Sequence, residues 1–258
     1  MFDTILFDLD DTLIKEAESA QESVFETINK LDAGINKTEF LNILHQQARE
    51  LWYNSPVIDF FRHFGISSLE ALWADFTGDG PELTKLREFS GEYRFNTWSR
   101  ALHRFNIMDP AVAERACTEY KNIRNSKHNL FPETTGTLTV LTERYKLGLI
   151  TNGAPDLQWK KIDGGNLRHF FGYIAISGEC GYAKPDKRLF DSVLRGLKSL
   201  PSNTIMVGNN LQTDIKGAQD YGILTIWVDR DGNSLTDNII PDYKISNLSE
   251  VIEIVGTI

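Results

Sequence analysis

The sequence contains few cysteines and no long apolar run. Only Cys117 and Cys180 occur among its 258 residues, without the spacing of a metal site, so we expect two buried or free thiols in a reducing compartment. No run of about 18 apolar residues is present, so no membrane span is expected. The first residues lack the basic and apolar parts of a signal peptide. We therefore expect a cytoplasmic protein with no membrane partner.

Basic residues are also scarce relative to acidic ones. The chain has 27 Lys and Arg against 36 Asp and Glu, a formal charge of −9. Nucleic-acid phosphates are bound by basic surfaces, so this balance argues against a nucleic-acid partner. An anionic small molecule would need positive charge concentrated locally, from a metal ion and one or two lysines. The length suits one large domain or a core with an insertion.

The most informative stretch is the first fourteen residues, MFDTILFDLDDTLI. The run from Thr4 to Phe7 is typical of a strand buried on both faces of a parallel sheet. Asp8 and Asp10 follow it and, by strand alternation, point the same way. Two carboxylates about 4 Å apart repel by on the order of 4 kcal/mol at an effective dielectric of about 20. A shared proton, a lysine or a cation must offset this, and acidic oxygens favour Mg2+, which also brings phosphate with it.

A plainer interpretation of the same acids is a helix cap. Asp11 and Thr12 precede a polar, helix-prone stretch, and Asp and Thr are preferred N-cap residues. Taken alone, an Asp-x-Asp-x-Thr motif fits an ordinary turn as well as a metal site. The buried strand directly before the motif favours the metal site.

The chain changes character after its first strand. From Lys15 to about Leu130 the pattern is helical and no strand is predicted. The predicted helices there are Ala20 to Leu31, Glu39 to Trp52, Ser68 to Phe76, Leu83 to Phe105 with interruptions, and Ala111 to Asn122. Beyond Pro132, the predicted strands are Lys146 to Thr151, Tyr173 to Ser177, Thr204 to Gly208 and Leu224 to Val228. They alternate with the predicted helices Thr134 to Arg144, Lys187 to Leu197, Asp214 to Tyr221 and Ser249 to Val255.

Apolar strands that alternate with helices predict an α/β fold with a Rossmann-like parallel sheet covered on both sides. The first strand belongs to this sheet, so the helical stretch is an insertion. We expect a core domain of residues 1–14 and 132–258 and an inserted helical domain of residues 15–131. Ligands of such sheets bind at the carboxyl ends of the strands.

Three polar motifs follow the predicted strands of the core. Thr151 and Asn152 offer a hydroxyl and turn amides suited to phosphate oxygens, although a plain turn explains them equally well. Lys184 is placed to neutralise the acids and steady a phosphoryl group, although most lysines are simply solvated. Asn209 and Asp214 offer oxygens for a metal or for orienting the lysine, and the alternative for Asp214 is a cap of the helix that follows it.

In this order the motifs resemble those of the haloacid dehalogenase (HAD) superfamily. The residues that carry the resemblance are Asp8-Leu-Asp10-Asp-Thr12, Thr151, Lys184 with Pro185, and Gly208 to Asp214. The resemblance covers roughly residues 1–14 and 132–230 and implies a HAD-like core. The helical insertion looks like the family's type 1 cap, which closes over the site and selects the substrate.

The resemblance implies a role for each matching residue. Asp8 would be the nucleophile and form an aspartyl-phosphate that water hydrolyses. Asp10 would act as general acid and then general base. The residues that would shape the loop and hold the phosphoryl group are Thr12, Thr151, Asn152 and Lys184.

The resemblance also implies a Mg2+ site. The ligands would be the Asp8 carboxylate, the Asp10 carbonyl and an oxygen of Asn209 or Asp214. One departure from the family pattern is Asn209, which stands where relatives have an acid. Its amide oxygen can bind Mg2+ but contributes no charge.

Asp10 further indicates the type of reaction. Family members that hydrolyse carbon–halogen bonds lack a second acid at this place and need no Mg2+. The resemblance therefore implies a Mg2+-dependent hydrolase of phosphoric monoesters, acting on a small phosphorylated metabolite as a monomer or homodimer. A phosphomutase, a 2-haloacid dehalogenase and a non-catalytic phosphate-binding or regulatory protein are the alternatives, and the last would be expected to have lost Asp8 or Asp10.

Substrate recognition is assigned to the insertion. The candidate contacts for an anionic group are Lys15, Arg49, Arg62, Arg94 and Arg100. The candidates for an apolar wall are Trp52, Trp73 and Trp98, with helix packing as the alternative. The sequence around Glu70 to Trp73 and around Thr151 to Asp156 is similar to that of phosphoserine phosphatases, which makes phosphoserine the first candidate substrate. Sugar phosphates and nucleoside monophosphates remain open.

Overall fold

The computed structural model describes residues 2–32, 34–59, 64–232 and 239–258. The strands, in chain order, are β1 (Thr4–Phe7), β2 (Lys146–Thr151), β3 (Tyr173–Ile176), β4 (Thr204–Gly208), β5 (Leu224–Val228) and β6 (Tyr243–Ile245). The helices that lie wholly within these ranges are α1 (Glu16–Leu31), α2 (Lys37–Tyr53), α3 (Pro81–His103), α4 (Pro110–Arg124), α5 (Thr134–Thr142), α6 (Pro155–Gly164), α7 (Ser177–Cys180), α8 (Lys187–Leu197), α9 (Lys216–Gln219) and α10 (Glu250–Val255). Single turns lie at Glu70–Leu72, Arg168–Phe170, Pro201–Asn203 and Leu211–Ile215.

The six strands of the described chain form one sheet in the order β3-β2-β1-β4-β5-β6, and every pair is parallel. β1 lies between β2 and β4, with Phe7 opposite Leu149 and Val207. The predicted parallel α/β sheet is confirmed, and β1, β2, β4 and β5 begin and end where the sequence places them. β6 was not predicted, because its three residues carry too little pattern to separate a strand from a loop.

Burial explains why the central segments form strands. Every residue of β1 and of β4 is buried, so no polar alternation marks either strand. On one face, Phe190 and Val193 of α8 join Leu6 and Met206 of the sheet in an apolar cluster. Because the central strands are packed on both faces, the groups at their carboxyl ends are held in fixed positions relative to one another.

The chain divides into two compact units. The first contains Met1–Lys15, Asn129–Asn152 and Gly165–Ile258 and carries the sheet. The second contains Glu16–His128 and Gly153–Gly164 and is helical. The sequence placed an insertion at residues 15–131, whereas this division also assigns α6 to the helical unit. That the helical unit acts as a substrate-selecting cap stays a prediction.

The helical unit has an apolar core of its own. α1 packs against α4, and α2 packs against α3. The ring of Phe40 lies 5.6 Å from that of Trp98, and the Tyr93 hydroxyl donates to the carbonyl of Ser68 at 2.7 Å. The helices predicted for α1, α2 and α4 are confirmed, each slightly longer than its apolar pattern indicates. α3 is continuous where interruptions were predicted, so packing of its buried face outweighs the cost of Gly91 within it.

The helix predicted from Ser68 to Phe76 is wrong. The structure has only the short turn Glu70–Leu72 there. Ser67 and Glu70 form a capping box, in which each side chain accepts the other residue's backbone N–H, so the start of the turn is well specified. Trp73, directly after the turn, has a φ of −138°, which lies outside the right-handed helical region and prevents the helix from continuing.

The helix α6 was missed by the sequence analysis. It begins at Pro155, a position in a helix where the missing N–H costs nothing. Leu157, Lys161 and Ile162 are all fully buried, and the lysine among them hides the apolar periodicity. Lys161 is accommodated because its Nζ lies 3.1 Å from Glu70 Oε1.

Two further expectations concern the whole chain. Cys117 and Cys180 are free thiols, as expected, and lie in different units. Within the described ranges, no helix combines the length and the apolar character that crossing a membrane requires.

Candidate active site

The strand exits of the first unit bring the predicted site residues together. β1 leads into Asp8, β2 ends at Thr151, and β4 leads into Asn209. Because β1 pairs with both β2 and β4, these three exits lie side by side. Lys184 reaches the same edge from the segment between α7 and α8. The structure thus places residues from distant parts of the sequence at one edge of the sheet.

The ammonium group of Lys184 lies at the centre of this cluster. Its Nζ donates to Asp8 Oδ1 at 2.5 Å and to the carbonyl of Ile150 at 2.9 Å, and it lies 2.8 Å from Asp214 Oδ1. These three acceptors match the three protons of an ammonium group. Burial lowers the pKa of Lys184, but Asp214 and Asp8 raise it further, so the net pKa is above its usual range. The buried lysine therefore stays charged.

Asp8 is held at both carboxylate oxygens. Lys184 occupies Oδ1, and the Thr12 hydroxyl donates to Oδ2 at 3.0 Å. The same hydroxyl accepts the backbone N–H of Asn209 at 3.1 Å, and Asn209 Oδ1 lies 3.4 Å from it. One threonine side chain thus links the loop after β1 to the loop after β4.

The charges around Asp8 are unbalanced. Burial raises the pKa of Asp8 from its ordinary value of 3.8 to about 7, although Lys184 opposes this shift. Asp214 and Asp10 raise the pKa of Asp8 as well. Two other carboxylates thus act on Asp8 beside the charge of Lys184, and an additional cation would stabilise the ionised form of Asp8.

The loop that carries Asp10 is not the start of a helix. α1 begins at Glu16, so the interpretation of Asp11 and Thr12 as its N-cap is wrong. Asp11 has a φ of 57°, a left-handed conformation that Asp tolerates better than most residues. This tight turn lets the Thr12 side chain bend back toward the strand exit.

Asp214 contacts Lys184 and does not cap a helix. The side chain of Asn210 accepts the first N–H groups of the following turn, so the alternative that Asp214 is the cap is wrong. Asp214 Oδ2 accepts the N–H of Asn210 at 3.0 Å, while Oδ1 lies beside the lysine. Gly208 makes room for this arrangement, since a Cβ there would lie 2.6 Å from the Cβ of Asp214.

Asn152 contacts Lys184 in a way that the sequence does not reveal. Its Oδ1 accepts the backbone N–H of Lys184 at 2.8 Å, and its Nδ2 donates to the Lys184 carbonyl at 3.0 Å. The prediction considered only the backbone N–H of Asn152, as a phosphate ligand beside Thr151. The side-chain amide therefore fixes the backbone from which the lysine extends.

The donor set near Thr12 suits a hard cation. In the part of the chain that the structure describes, no three His, Cys, Asp or Glu side chains are grouped as metal ligands. Asp8 Oδ2 and Asn209 Oδ1 are nevertheless both neighbours of the Thr12 hydroxyl, at 3.0 and 3.4 Å. A carboxylate and an amide oxygen fit Mg2+, which completes its shell with carbonyls, phosphate and water. Asp214, whose Oδ1 lies 2.8 Å from Lys184 Nζ, is the alternative to Asn209 as a ligand.

The tryptophans proposed as an apolar wall pack inside the helical unit. Trp52, Trp73 and Trp98 are at most 1% exposed and belong to the apolar core of that unit. The guanidinium of Arg124 lies 4.5 Å from the Trp73 ring. Helix packing is therefore the correct interpretation of these residues, and the interpretation as a substrate wall is wrong.

The cations proposed for substrate recognition are scattered. Arg94 donates through Nε to the carbonyl of Ala71 at 3.1 Å, so it supports the backbone of its own unit. Arg62 lies outside the described residues. The candidates for which substrate contact stays a prediction are Lys15, Arg49 and Arg100.

Known proteins resemble the chain over most of its length. Residues 2–222 match a family model described as haloacid dehalogenase-like hydrolase. A phosphoserine phosphatase from Thermus thermophilus is 34% identical over 248 residues, which cover 96% of each chain. A glyceraldehyde 3-phosphate phosphatase from Methanopyrus kandleri is 27% identical over 265 positions, which cover 99% of this chain and 97% of the other.

A solved structure shares the fold. The HAD-hydrolase YfnB from Bacillus subtilis, in a structure bound to magnesium, has a TM-score of 0.70 to this chain. The two are 22% identical, and the match covers 98% of each chain. At this identity the likeness concerns the fold and the order of its elements.

Proposed function

Because the chain belongs to the haloacid dehalogenase-like hydrolases, we propose that it is a Mg2+-dependent phosphatase. Its substrate would be a small phosphate monoester, hydrolysed through an aspartyl-phosphate on Asp8. The observation that carries the proposal is the ammonium of Lys184 between Asp8 and Asp214, at 2.5 and 2.8 Å. Two relatives that align over nearly the whole chain are named as phosphatases.

Asp8 is the nucleophile in this proposal. One carboxylate oxygen forms a bond to phosphorus while the bond from phosphorus to the leaving oxygen breaks. Lys184 and Thr12 orient the carboxylate through one contact to each of its oxygens. Orienting a nucleophile in this way lowers the entropic part of the activation barrier. Water then attacks phosphorus, and Asp8 is released as the carboxylate together with inorganic phosphate.

Asp10 carries the protons in both steps. It donates a proton to the leaving oxygen in the first step and removes one from the attacking water in the second. The aspartate thus returns to its starting state after each cycle. This second acid also favours phosphate esters over carbon–halogen bonds, because a halide leaves without being protonated.

Lys184 and the turn after β2 bind the phosphoryl group in this proposal. Lys184 is charged and buried, so its field on the phosphoryl oxygens is weakly screened. Asn152 holds the backbone of Lys184 through two hydrogen bonds, and Thr151 with the Asn152 N–H contacts the phosphoryl oxygens. Mg2+ would be held by Asp8, the Asp10 carbonyl and Asn209, with Asp214 as the alternative to Asn209. When bound, it supplies positive charge beside the developing charge on phosphate.

Phosphate release from a panel of esters tests this function. The panel contains phosphoserine, glyceraldehyde 3-phosphate, a sugar phosphate and a nucleoside monophosphate, each with Mg2+ and with excess chelator. We expect turnover that favours one ester and falls by about 100-fold or more in chelator, because several kcal/mol of charge stabilisation are lost. Phosphoserine is the first candidate. Failure of the folded protein to release phosphate from any ester would contradict the proposal, and metal-independent turnover of a 2-haloacid would replace it.

The Asp10→Asn variant is expected to separate substrates by leaving group. With an alkyl ester such as phosphoserine, kcat/KM should fall by about 10²–10⁴, the usual contribution of general acid–base catalysis. With p-nitrophenyl phosphate, whose leaving oxygen needs no proton, the first step should be nearly unchanged and the second slowed. Equal losses with both esters would argue against the acid role of Asp10.

A further inference from the structure

The side chain of Arg230 connects the exit of β5 to the loop after β1. Its Nη2 donates to the backbone carbonyl of Thr12 at 3.1 Å. In the sheet, β4 lies between β1 and β5, so this arginine reaches across one strand to the loop that carries Asp8. Neither the motifs nor the periodicity of the sequence indicates this contact.

Arg230 is fixed on three sides. Its Nη1 donates to Glu133 Oε1 at 2.7 Å, and its guanidinium lies 3.4 Å from the centre of the Phe131 ring. Glu133 Oε1 also accepts the N–H of Leu248 at 3.3 Å, and the arginine holds the pKa of Glu133 below its usual range against the effect of burial. A guanidinium group that is stacked on a ring and makes two hydrogen bonds has little freedom to move.

Thr12 is the residue through which this constraint reaches the site. Its carbonyl accepts a hydrogen bond from Arg230. Its hydroxyl donates a hydrogen bond to Asp8 and accepts one from the backbone N–H of Asn209. The peptide of Thr12 belongs to a tight turn, in which the N–H of Leu13 bonds the carbonyl of Leu9 at 2.9 Å. Rotation of this peptide would move the hydroxyl away from both site residues.

The same strand exit also holds the loop after β4. The indole N–H of Trp227, the fourth residue of β5, donates to the carbonyl of Asn209 at 2.8 Å. Trp227 is 3% exposed, so its ring is fixed by packing. Thr12 and Asn209 both belong to the candidate site. Their backbone carbonyls thus both accept hydrogen bonds from residues at one end of β5.

We propose that Arg230 and Trp227 are positioning residues, which set the relative placement of Asp8 and Asn209 by bonding the backbone carbonyls of Thr12 and Asn209. The proposal rests on the function proposed above for its kinetic consequence, but the placement itself is independent of that function. Neither residue contacts the reacting atoms. Their contribution is to keep the two loops in one arrangement between turnovers.

Hydrogen exchange of the substrate-free, metal-free protein tests the placement directly. In Arg230→Met, which keeps the apolar stem, exchange of the Asp11, Leu13 and Ile14 amides should accelerate at least about tenfold, because the turn opens more often. Exchange in β1 should stay as in the wild type. Arg230→Lys should give an intermediate result, since one ammonium cannot reproduce both contacts of the fork.

Kinetics then connect the placement to the reaction. In Arg230→Met, kcat for the preferred ester should fall by about 10–100-fold with KM within about threefold, because a small misplacement of a catalytic group costs this much. Arg230→Lys should recover part of kcat. Trp227→Phe should raise the Mg2+ concentration needed for half-maximal activity, because it loosens Asn209 and leaves Thr12 in place.

Arg188 provides a matched control. Its guanidinium also pairs with a carboxylate, Asp186, at 2.5 Å and stacks over a ring, Tyr182, at 3.6 Å. It makes the same kinds of contact without reaching the loop after β1. Arg188→Met is therefore expected to leave kcat and the exchange of the Asp11 to Ile14 amides unchanged.

Three results would overturn the inference. The first is unchanged exchange of the loop amides in Arg230→Met. The second is a loss of kcat that Arg188→Met reproduces, and the third is acceleration of exchange in β1 to the same extent as in the loop, which indicates general destabilisation. If the wild type releases no phosphate from any ester, the proposed function fails, while the exchange experiment still decides the positioning role.

Discussion

The Asp8→Asn variant is expected to lose phosphate release by roughly 10⁴-fold or more while keeping its fold. An amide is too weak a nucleophile to form the bond to phosphorus, so the first step has no substitute. Substrate binding should persist, because Lys184 and the turn after β2 are unchanged. The measurement is kcat under saturating Mg2+ and ester, together with circular dichroism of the same sample.

Asp11→Asn is the matched control for this change. It replaces a carboxylate by an amide in the same loop, and Asn tolerates the left-handed conformation of residue 11 as well as Asp does. We expect it to keep most of the wild-type kcat. If Asp8→Asn were fully active while its fold was intact, the assignment of the nucleophile would be wrong.

The Asp8→Asn substitution is also expected to stabilise the metal-free protein at alkaline pH. Burial raises the pKa of Asp8 to about 7, so its folded form binds a proton more tightly than its unfolded form. Such a group contributes stability that is complete below its unfolded pKa of 3.8 and is lost as the pH rises through about 7. Asparagine carries no such penalty. Raising the pKa of Asp8 from 3.8 to about 7 corresponds to on the order of 4 kcal/mol in the free energy of unfolding.

Thermal unfolding in chelator measures this effect. At pH 8 the melting temperature of Asp8→Asn should exceed that of the wild type by roughly 8–16 °C, and at pH 4 the two should nearly coincide. Added Mg2+ should reduce the difference, because a cation stabilises the ionised wild-type carboxylate. A variant that melts below the wild type at pH 8 would show that the attraction of Lys184 outweighs the burial of Asp8.

Lys184→Met is expected to have the opposite effect on stability. Methionine keeps the apolar stem but leaves Asp8 and Asp214 buried without their shared counter-ion. Breaking a buried ion pair from one side costs roughly 3–5 kcal/mol, equivalent to a fall in melting temperature of roughly 6–20 °C. The loss should shrink as the pH falls and Asp8 takes up a proton. kcat/KM should also fall, since the phosphoryl group loses its buried cation.

The double variant Asp8→Asn with Lys184→Met identifies the source of that loss. If the uncompensated charge of Asp8 is responsible, adding Asp8→Asn to Lys184→Met should restore part of the stability, with a coupling energy of roughly 0.5–3 kcal/mol. The wild type, both single variants and the double variant are unfolded at pH 8 in chelator. If Lys184→Met were as stable as the wild type there, the ion cluster would contribute nothing to folding.

The sheet and the convergence of the site residues are predictable because local pattern specifies them. β1 and β4 are short apolar runs, buried on both faces, and each ends in polar residues. Parallel strands end at one edge, so Asp8, Thr151 and Asn209 had to lie near one another once the strands were known. The presence of α1, α2 and α4 follows from apolar spacing in the same way, although each helix extends beyond its apolar pattern.

The remaining features depend on contacts between residues far apart in the sequence. The capping box of Ser67 and Glu70 predicts a helix start, but the conformation of Trp73 ends it after one turn. The buried Lys161 of α6 looks polar until its partner Glu70 is known. The contact of Arg230 with Thr12 spans 218 residues, and no local pattern encodes it. The sequence therefore indicates which candidate site residues lie together, but it does not indicate the contacts of Arg230 and Trp227 with the loops that carry them.

The most direct test of the nucleophile is the mass of the peptide containing Asp8 after acid quench. Asp10→Asn is mixed with p-nitrophenyl phosphate and Mg2+, quenched during turnover, digested and analysed by mass spectrometry. This ester needs no acid for its first step, whereas hydrolysis of the intermediate needs the missing base, so the phosphorylated enzyme should accumulate. We predict one added phosphoryl group on Asp8. Release of p-nitrophenol through many turnovers with no phosphoryl group on Asp8 at any time would contradict the account.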